Sequence, residues 1–211
     1  MVNRRSTASR LIGARFMKSA PTWTTLPVDA GTELAFVGRS NSGKSTALNA
    51  ICQQSALART SRTPGRTREL NYFAVAETER LVDLPGYGYA AVPIPMQQAW
   101  GEFIAHYFAE RRSLCGMVQM VDSRHGIREL DAELLRYAWQ RQLPTLVLLS
   151  KTDKLNRQEQ VNAVRKANVD LAMLHPEARV LLFSAKEKVG IEDARRFIEA
   201  QLAPTPAADV T

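Results

Sequence analysis

Gly38-Arg39-Ser40-Asn41-Ser42-Gly43-Lys44-Ser45 is the stretch that decides the fold. It fits G-x-x-x-x-G-K-[S/T] and lies where that pattern has a mechanism, after the apolar run Leu34-Ala35-Phe36-Val37 and before helix-forming residues that begin near Lys44. The order is strand, glycine-rich loop, helix. The glycines let backbone N–H groups turn inward around phosphates at the positive end of a helix. Lys44 is placed to neutralise the outer phosphates, and Ser45 to offer its hydroxyl to Mg²⁺.

Reading outward, Glu69 to Val75 and Arg80-Leu81-Val82 form the next two strands, with a turn at Glu77-Thr78. They are too close in sequence for a parallel crossover, so they are expected to pair antiparallel. Strands at Met117 to Val121, Leu146 to Leu149 and Val180 to Phe183 then alternate with helices. Trp100, Phe103, Ile104, Tyr107 and Phe108 recur at helical spacing, which makes them a packed face rather than a platform for bases. Further helices are marked by Ile127, Leu130, Leu134 and Ala138, by Val161, Val164 and Leu171, and by Ile191, Ala194, Phe197 and Ile198. This is an α/β pattern: a mostly parallel six-stranded sheet with one antiparallel edge strand and helices on both faces, the P-loop GTPase (Ras-like) fold. Ligands of such sheets sit beyond the carboxyl ends of the strands. A basic arm and connector (1–30), a nucleotide-binding domain (31–203) and a disordered tail (204–211) are expected.

Three further motifs fall at strand ends. Asp83-Leu84-Pro85-Gly86 follows Arg80-Leu81-Val82, placing Asp83 to hold Mg²⁺ through a water and the Gly86 N–H to meet a γ-phosphate. On its own such a tetrapeptide often makes only a turn. Ser150-Lys151-Thr152-Asp153 follows Leu146 to Leu149. The Watson–Crick edge of guanine offers adjacent N1–H and N2 amino donors that one carboxylate accepts together, whereas adenine has an acceptor at N1. Asp153 therefore selects guanine; the other reading is that Thr152 or Asp153 caps the next helix. After the last strand, Ser184-Ala185-Lys186 supplies a backbone contact to the guanine carbonyl or simply the turn into the final helix, and Phe183, Ser184 and Ala185 are counted among the nucleotide-binding residues.

The 211 residues are long enough for one substantial core. Cys52 and Cys115 are far apart with no CxxC pairing, and His106, His125 and His175 are scattered, so neither a disulfide framework, a zinc site nor a catalytic triad is expected. No apolar run is long enough to cross a bilayer, and Leu11-Ile12 is too short for a signal peptide. Arg4, Arg5, Arg10, Arg15 and Lys18, with Ser and Thr and no acid, make either a mobile basic arm or an organellar transit peptide. A net charge of +7 favours contact with a polyanion.

The finer motifs carry a resemblance. Thr60-Ser61-Arg62-Thr63-Pro64-Gly65-Arg66-Thr67, Asp83-Leu84-Pro85-Gly86-Tyr87-Gly88-Tyr89, Val121-Asp122-Ser123-Arg124-His125-Gly126 and Ala14-Arg15-Phe16 resemble the EngB (YihA/YsxC) family of bacterial GTPases, from about Ala14 to Leu202. The resemblance implies a GTPase that assists assembly of the large ribosomal subunit and is required for growth and division. It also implies that Gly65-Arg66-Thr67-Arg68-Glu69 contacts the nucleotide, with Thr67 as the second Mg²⁺ ligand. Asn41 resembles the Asn with which related GTPases hold a potassium ion at the phosphates; otherwise it caps the loop's turn. Where the family usually has Thr or Asn, this chain has Ser150, which keeps the hydroxyl and loses a methyl group's packing. Tyr87 stands where many GTPases place a water-orienting Gln, so intrinsic hydrolysis is expected to be slow. Lys44, Thr67, Gly86 and Asn41 are the expected catalytic set.

Arg59, Arg62, Arg66 and Arg68 crowd the loop that carries Thr67, either to grip RNA in one nucleotide state or as solvated charges. The expected partners are GTP and GDP and the large ribosomal subunit with its RNA. Neither membrane nor DNA is expected, and the expected state is a cytoplasmic monomer. Two other readings stay open, a P-loop ATPase or nucleotide kinase and a GTP-dependent regulator of protein partners without RNA contact.

Overall fold

The computed structural model describes residues 9–58, 69–88 and 94–203, with side chains of the last segment from residue 101 onward. Seven strands make one sheet: β1 (Arg15–Ala20), β2 (Thr32–Gly38), β3 (Leu70–Ala74), β4 (Glu79–Asp83), β5 (Leu114–Asp122), β6 (Thr145–Ser150) and β7 (Arg179–Leu182), in the order β1-β3-β4-β2-β5-β6-β7. The helices are α1 (Lys44–Ile51), α2 (Ile94–Glu110), α3 (Glu129–Gln140), α4 (Arg157–Leu174) and α5 (Ile191–Leu202). β4, β2, β5, β6 and β7 pair in parallel, and β3 runs antiparallel to both of its neighbours, β1 and β4.

The sheet differs from the sequence expectation in two respects. Among the described residues it has seven strands rather than six, and the antiparallel strand β3 lies second from the edge, because β1 covers it. That extra strand comes from the segment expected to be a basic arm and connector. β1 gives no alternating pattern to read: Phe16 and Met17 are both exposed, at 56% and 46%, and the register shifts between Phe16 and Lys18. Ahead of it, Leu11 and Ala14 are buried in the core.

The parallel strands alternate between two cores, as a pleat with helices on each side requires. In β2, Leu34 and Phe36 pack with α1 and α5 residues such as Leu48, Ile51 and Ile198, while Ala35 and Val37 face Ile104, Tyr107 and Phe108 of α2 and Leu135 of α3. The aromatic stripe of α2 is therefore core where its side chains are described; Trp100 lies outside them.

At the amino end of β2, Glu33 is fully buried and accepts from Arg80 Nη1 at 2.9 Å, Tyr107 Oη at 3.0 Å, Arg111 Nε at 2.9 Å and Arg111 Nη2 at 2.6 Å. Arg111 also donates to the Pro27 carbonyl at 2.9 Å, and Arg80 to that of Ala30 at 2.9 Å. A buried carboxylate needs this many donors, and here they clamp the connector to the sheet. The opposite, carboxyl end of the sheet is left to the functional loops.

Candidate functional site

The phosphate-type loop leaves β2 at Gly38 and enters α1 at Lys44. Asn41 (φ 64°) and Gly43 (φ 91°) are both left-handed, which wraps the chain and aims successive N–H groups to one side. Lys44 and Asp83 are buried and joined as an ion pair, so the lysine of the loop and the acid ending β4 face each other. Register explains the meeting, since Asp83 lies beside Phe36 on β2 and the Leu84 N–H donates to the Phe36 carbonyl at 3.0 Å.

Past Asp83 the chain runs on along the loop. The Ser40 N–H donates to the Tyr87 carbonyl at 2.8 Å. Gly86 passes so close that a Cβ there would sit 3.2 Å from the Ser40 N and Cα. Gly88 is left-handed at φ 69°, and a Cβ would lie 2.7 Å from the Arg39 guanidinium, which donates to the Gly88 carbonyl at 3.3 Å. Tyr87 turns inward, with its phenol 2.6 Å from Asp131 Oδ1 in the first turn of α3 and 3.2 Å from the Gln119 amide nitrogen on β5.

The carboxyl ends of β6 and β7 close the other side. Ser150 Oγ donates to the Ser42 carbonyl at 2.6 Å, a bond that uses the hydroxyl and needs no methyl. Lys151 Nζ donates to the Asn41 carbonyl at 2.6 Å. Thr152 Oγ1 donates to the Phe183 carbonyl at 3.1 Å, and Ser184 Oγ to Asp153 Oδ1 at 2.8 Å. The hydrogen bond from Ser184 is the largest influence on Asp153 and holds its carboxyl below the ordinary value. Neither Thr152 nor Asp153 caps α4; Asn156 does, accepting the Glu159 N–H at 2.9 Å. A short 3₁₀ turn, Thr152–Lys154, holds Asp153 instead.

The structure thus brings Gly38–Ser45, Asp83–Gly86, Ser150–Asp153 and Phe183–Ala185 to one end of the sheet, tied to each other by these hydrogen bonds and the Lys44–Asp83 pair. Gly65, Arg66, Thr67 and Arg68 lie outside the described residues, as do Arg59 and Arg62; Glu69 is described and leads into β3. Sequence reasoning missed Asp131, Gln119 and the work of Asp122, whose partners are distant in the chain. Among the described residues no cluster of three or more His, Cys, Asp or Glu side chains could hold a metal. The oxygen donors Ser45 and Asp83 are hard ligands of the kind Mg²⁺ takes when phosphate and water complete its shell.

The sequence profile of a family described as “50S ribosome-binding GTPase” matches residues 33–151. The “Probable GTP-binding protein EngB” of Stenotrophomonas maltophilia (strain K279a) is 46% identical over 186 residues, covering 88% of this chain and 93% of the relative. Its counterpart from Xylella fastidiosa (strain 9a5c) is 45% identical over 196 residues, covering 92% and 97%. The chain belongs to the EngB family of GTP-binding proteins. A crystal structure of a probable GTP-binding protein engB matches with TM-score 0.63 at 25% identity, covering 82% of this chain and 100% of that one. As an EngB-family GTPase, the chain binds guanine nucleotide and hydrolyses GTP, and such GTPases generally use Mg²⁺. No helix among the described residues is long and apolar enough to cross a membrane.

Proposed function

We propose that this EngB-family chain is a slow GTP-driven switch in the cytoplasm that assists assembly of the large ribosomal subunit in its GTP state, and that growth and division (septation) require it. The observation that carries the nucleotide half is Asp153: its carboxylate accepts from Ser184, which holds its pKa low, and it sits in the turn after β6, whose Ser150 is tied to the phosphate loop, so it is placed to read N1–H and N2 of guanine. The ribosomal half is supported by the family description, by the net charge of +7 and by the four arginines around Thr67.

The roles follow from placement. Gly38 to Ser45 cradle the phosphates, with the Lys44 charge on the outer ones. Gly86 offers its N–H to the γ-phosphate, and the Phe183 to Ala185 backbone meets the guanine carbonyl. Mg²⁺ would be held by Ser45, by Thr67 and, through water, by Asp83, and it supplies neutralising charge to the phosphates. Asn41, exposed on the loop, is the proposed potassium ligand. Slow hydrolysis has a structural support in Tyr87, whose phenol donates to Asp131 and which has no side-chain amide to orient an attacking water.

The test is co-sedimentation with large ribosomal subunits in a non-hydrolysable GTP analogue and in GDP, with the bound RNA identified. Retention in the GTP analogue alone is expected. Equal binding in both states would remove the switch, and no binding in either, with protein partners recovered instead, would favour a regulator without RNA contact.

A further inference from the structure

Asp122 ends β5 beside the nucleotide loops, and its carboxylate meets four donors. Arg124 gives Oδ1 its backbone N–H at 3.1 Å and its Nε at 2.9 Å, and gives Oδ2 its Nη2 at 2.7 Å. The fourth donor is the Lys151 ammonium, 2.9 Å from Oδ2. That same ammonium donates to the Asn41 carbonyl at 2.6 Å. The Asp122 side chain is only 12% exposed. Burial pushes its carboxyl up, and the hydrogen bonds from Arg124 and Lys151 outweigh burial and hold it well below the usual carboxylate range.

The residue that carries this ammonium and the one whose carbonyl it meets are both left-handed without being glycine: Lys151 at φ 59° and Asn41 at φ 64°. L-residues keep that backbone only where their surroundings hold it. A lysine side chain is also among those that lose most rotamer freedom when fixed, so an ammonium bound at one point alone would be poorly placed. Asp122 supplies the second point.

We propose that Asp122 is a positioning residue of the nucleotide pocket: it fixes the Lys151 ammonium, which in turn fixes the Asn41 carbonyl and the turn of the phosphate loop. The proposal rests on the reading that Lys151 and Asn41 belong to that pocket. Asp122 acts only through Lys151. Because the loop grips phosphates common to both nucleotides, removing Asp122 weakens GDP and GTP alike and leaves their ratio unchanged, unlike removal of a γ-phosphate ligand.

The experiment is a double-mutant cycle on the affinity and dissociation rate of a fluorescent GDP and a fluorescent non-hydrolysable GTP analogue, using the full chain. The variants are Asp122→Asn, Lys151→Met, the pair together, and Arg124→Met. Asp122→Asn should weaken both nucleotides on the order of tenfold, the size expected when a hydrogen bond to a charged group is removed. The double variant should bind no worse than Lys151→Met alone, because coupled residues are non-additive. Arg124→Met should weaken binding less than Asp122→Asn does: Arg124 lines the same pocket and feels the Asp153 charge, but Asp122 keeps Lys151 as its partner when Arg124 is removed. If Lys151→Met does not weaken binding, the pocket reading itself fails. If Lys151→Met weakens binding but Asp122→Asn does not, or the two effects multiply, the positioning role is wrong. An Arg124→Met effect equal to that of Asp122→Asn would assign Asp122 to its own loop instead. Should Asp122→Asn fail to fold, Asp122→Ser enters the same cycle and is read by the same outcomes.

Discussion

The Tyr87 phenol donates to Asp131 Oδ1 at 2.6 Å, joining the segment after Asp83-Leu84-Pro85-Gly86 to the first turn of α3. The other oxygen of Asp131 accepts the Arg128 N–H at 2.9 Å, and Gln119 donates both to the Tyr87 oxygen and to the Asp131 carbonyl. Burial first, then the neighbouring Asp131 charge, raises the phenol well above its ordinary value, so it stays a neutral donor at any physiological pH. Where other GTPases orient water, this chain has placed a tie to its core.

Tyr87→Phe separates those two roles. It removes a donor from a buried carboxylate, which costs about 1–3 kcal/mol. For a chain of this size that is roughly 2–4 °C in Tm per kcal/mol. Single-turnover GTP hydrolysis in potassium buffer should stay within about threefold, since the phenol is not asked to orient water. Thermal unfolding and single-turnover rates measured together decide it: a large drop in rate with unchanged Tm would return Tyr87 to the chemistry.

Asp153→Asn should transfer preference from GTP to xanthosine triphosphate, because the amide donates to the C2 carbonyl that xanthine has in place of the amino group. Unchanged GTP preference would remove Asp153 from the base site. Ser184→Ala gives a pH signature. The Ser184 hydrogen bond depresses the Asp153 pKa, so the carboxylate and whatever depends on it are present above the unfolded-state value and lost only as pH falls through the lower folded value. Without the bond the folded value rises, and the acid limb of GTP binding should move to higher pH. Titration of GTP affinity in both proteins below neutrality checks the direction.

Asn41 is the residue to test for potassium. Hydrolysis should be slow in sodium and rise in potassium at equal ionic strength, with the rise absent in Asn41→Ala. Four rates suffice, and equality among all of them would leave hydrolysis dependent on a partner.

Whatever leaves a local mark in the chain is legible in its sequence. The glycine loop, the strand-end acids and the helical spacing in α2 are written in contiguous residues. β1 is not, because an edge strand with a bulge and two adjacent exposed apolar residues has no period. Tyr87 and Asp131 are 44 residues apart and carry no shared motif, so their contact appears only when β4 and α3 are folded. Asp122 stands in plain view within Val121 to Gly126, yet its partner Lys151 comes from the next strand's end.

Residues 59–68 lie outside the described residues, and the described chain is anchored on either side of them. Asn49 clasps Ala58, accepting its N–H at 2.7 Å and donating to its carbonyl at 3.0 Å. On the other side the chain enters β3 at Leu70, paired with Ala20. Arg59, Arg62, Arg66 and Arg68 lie between these anchors in sequence, around Thr67. If Mg²⁺ and the γ-phosphate order the loop through Thr67, the arginines become a fixed basic patch in the GTP state, and binding to the large subunit should fall steeply with salt. Every phosphate that a variant no longer neutralises flattens the slope of log affinity against log salt by somewhat less than one unit, so replacing Arg59 and Arg62 together should reduce it by roughly one to two units. GTP affinity should barely change, because both precede the stretch assigned to the nucleotide. The measurement is subunit binding across a salt series in the GTP-analogue state, beside GTP affinity in the same double variant. An unchanged slope with unchanged subunit binding would take the RNA contact away from this loop and leave Arg4, Arg5, Arg10, Arg15 and Lys18 as the residues to replace next.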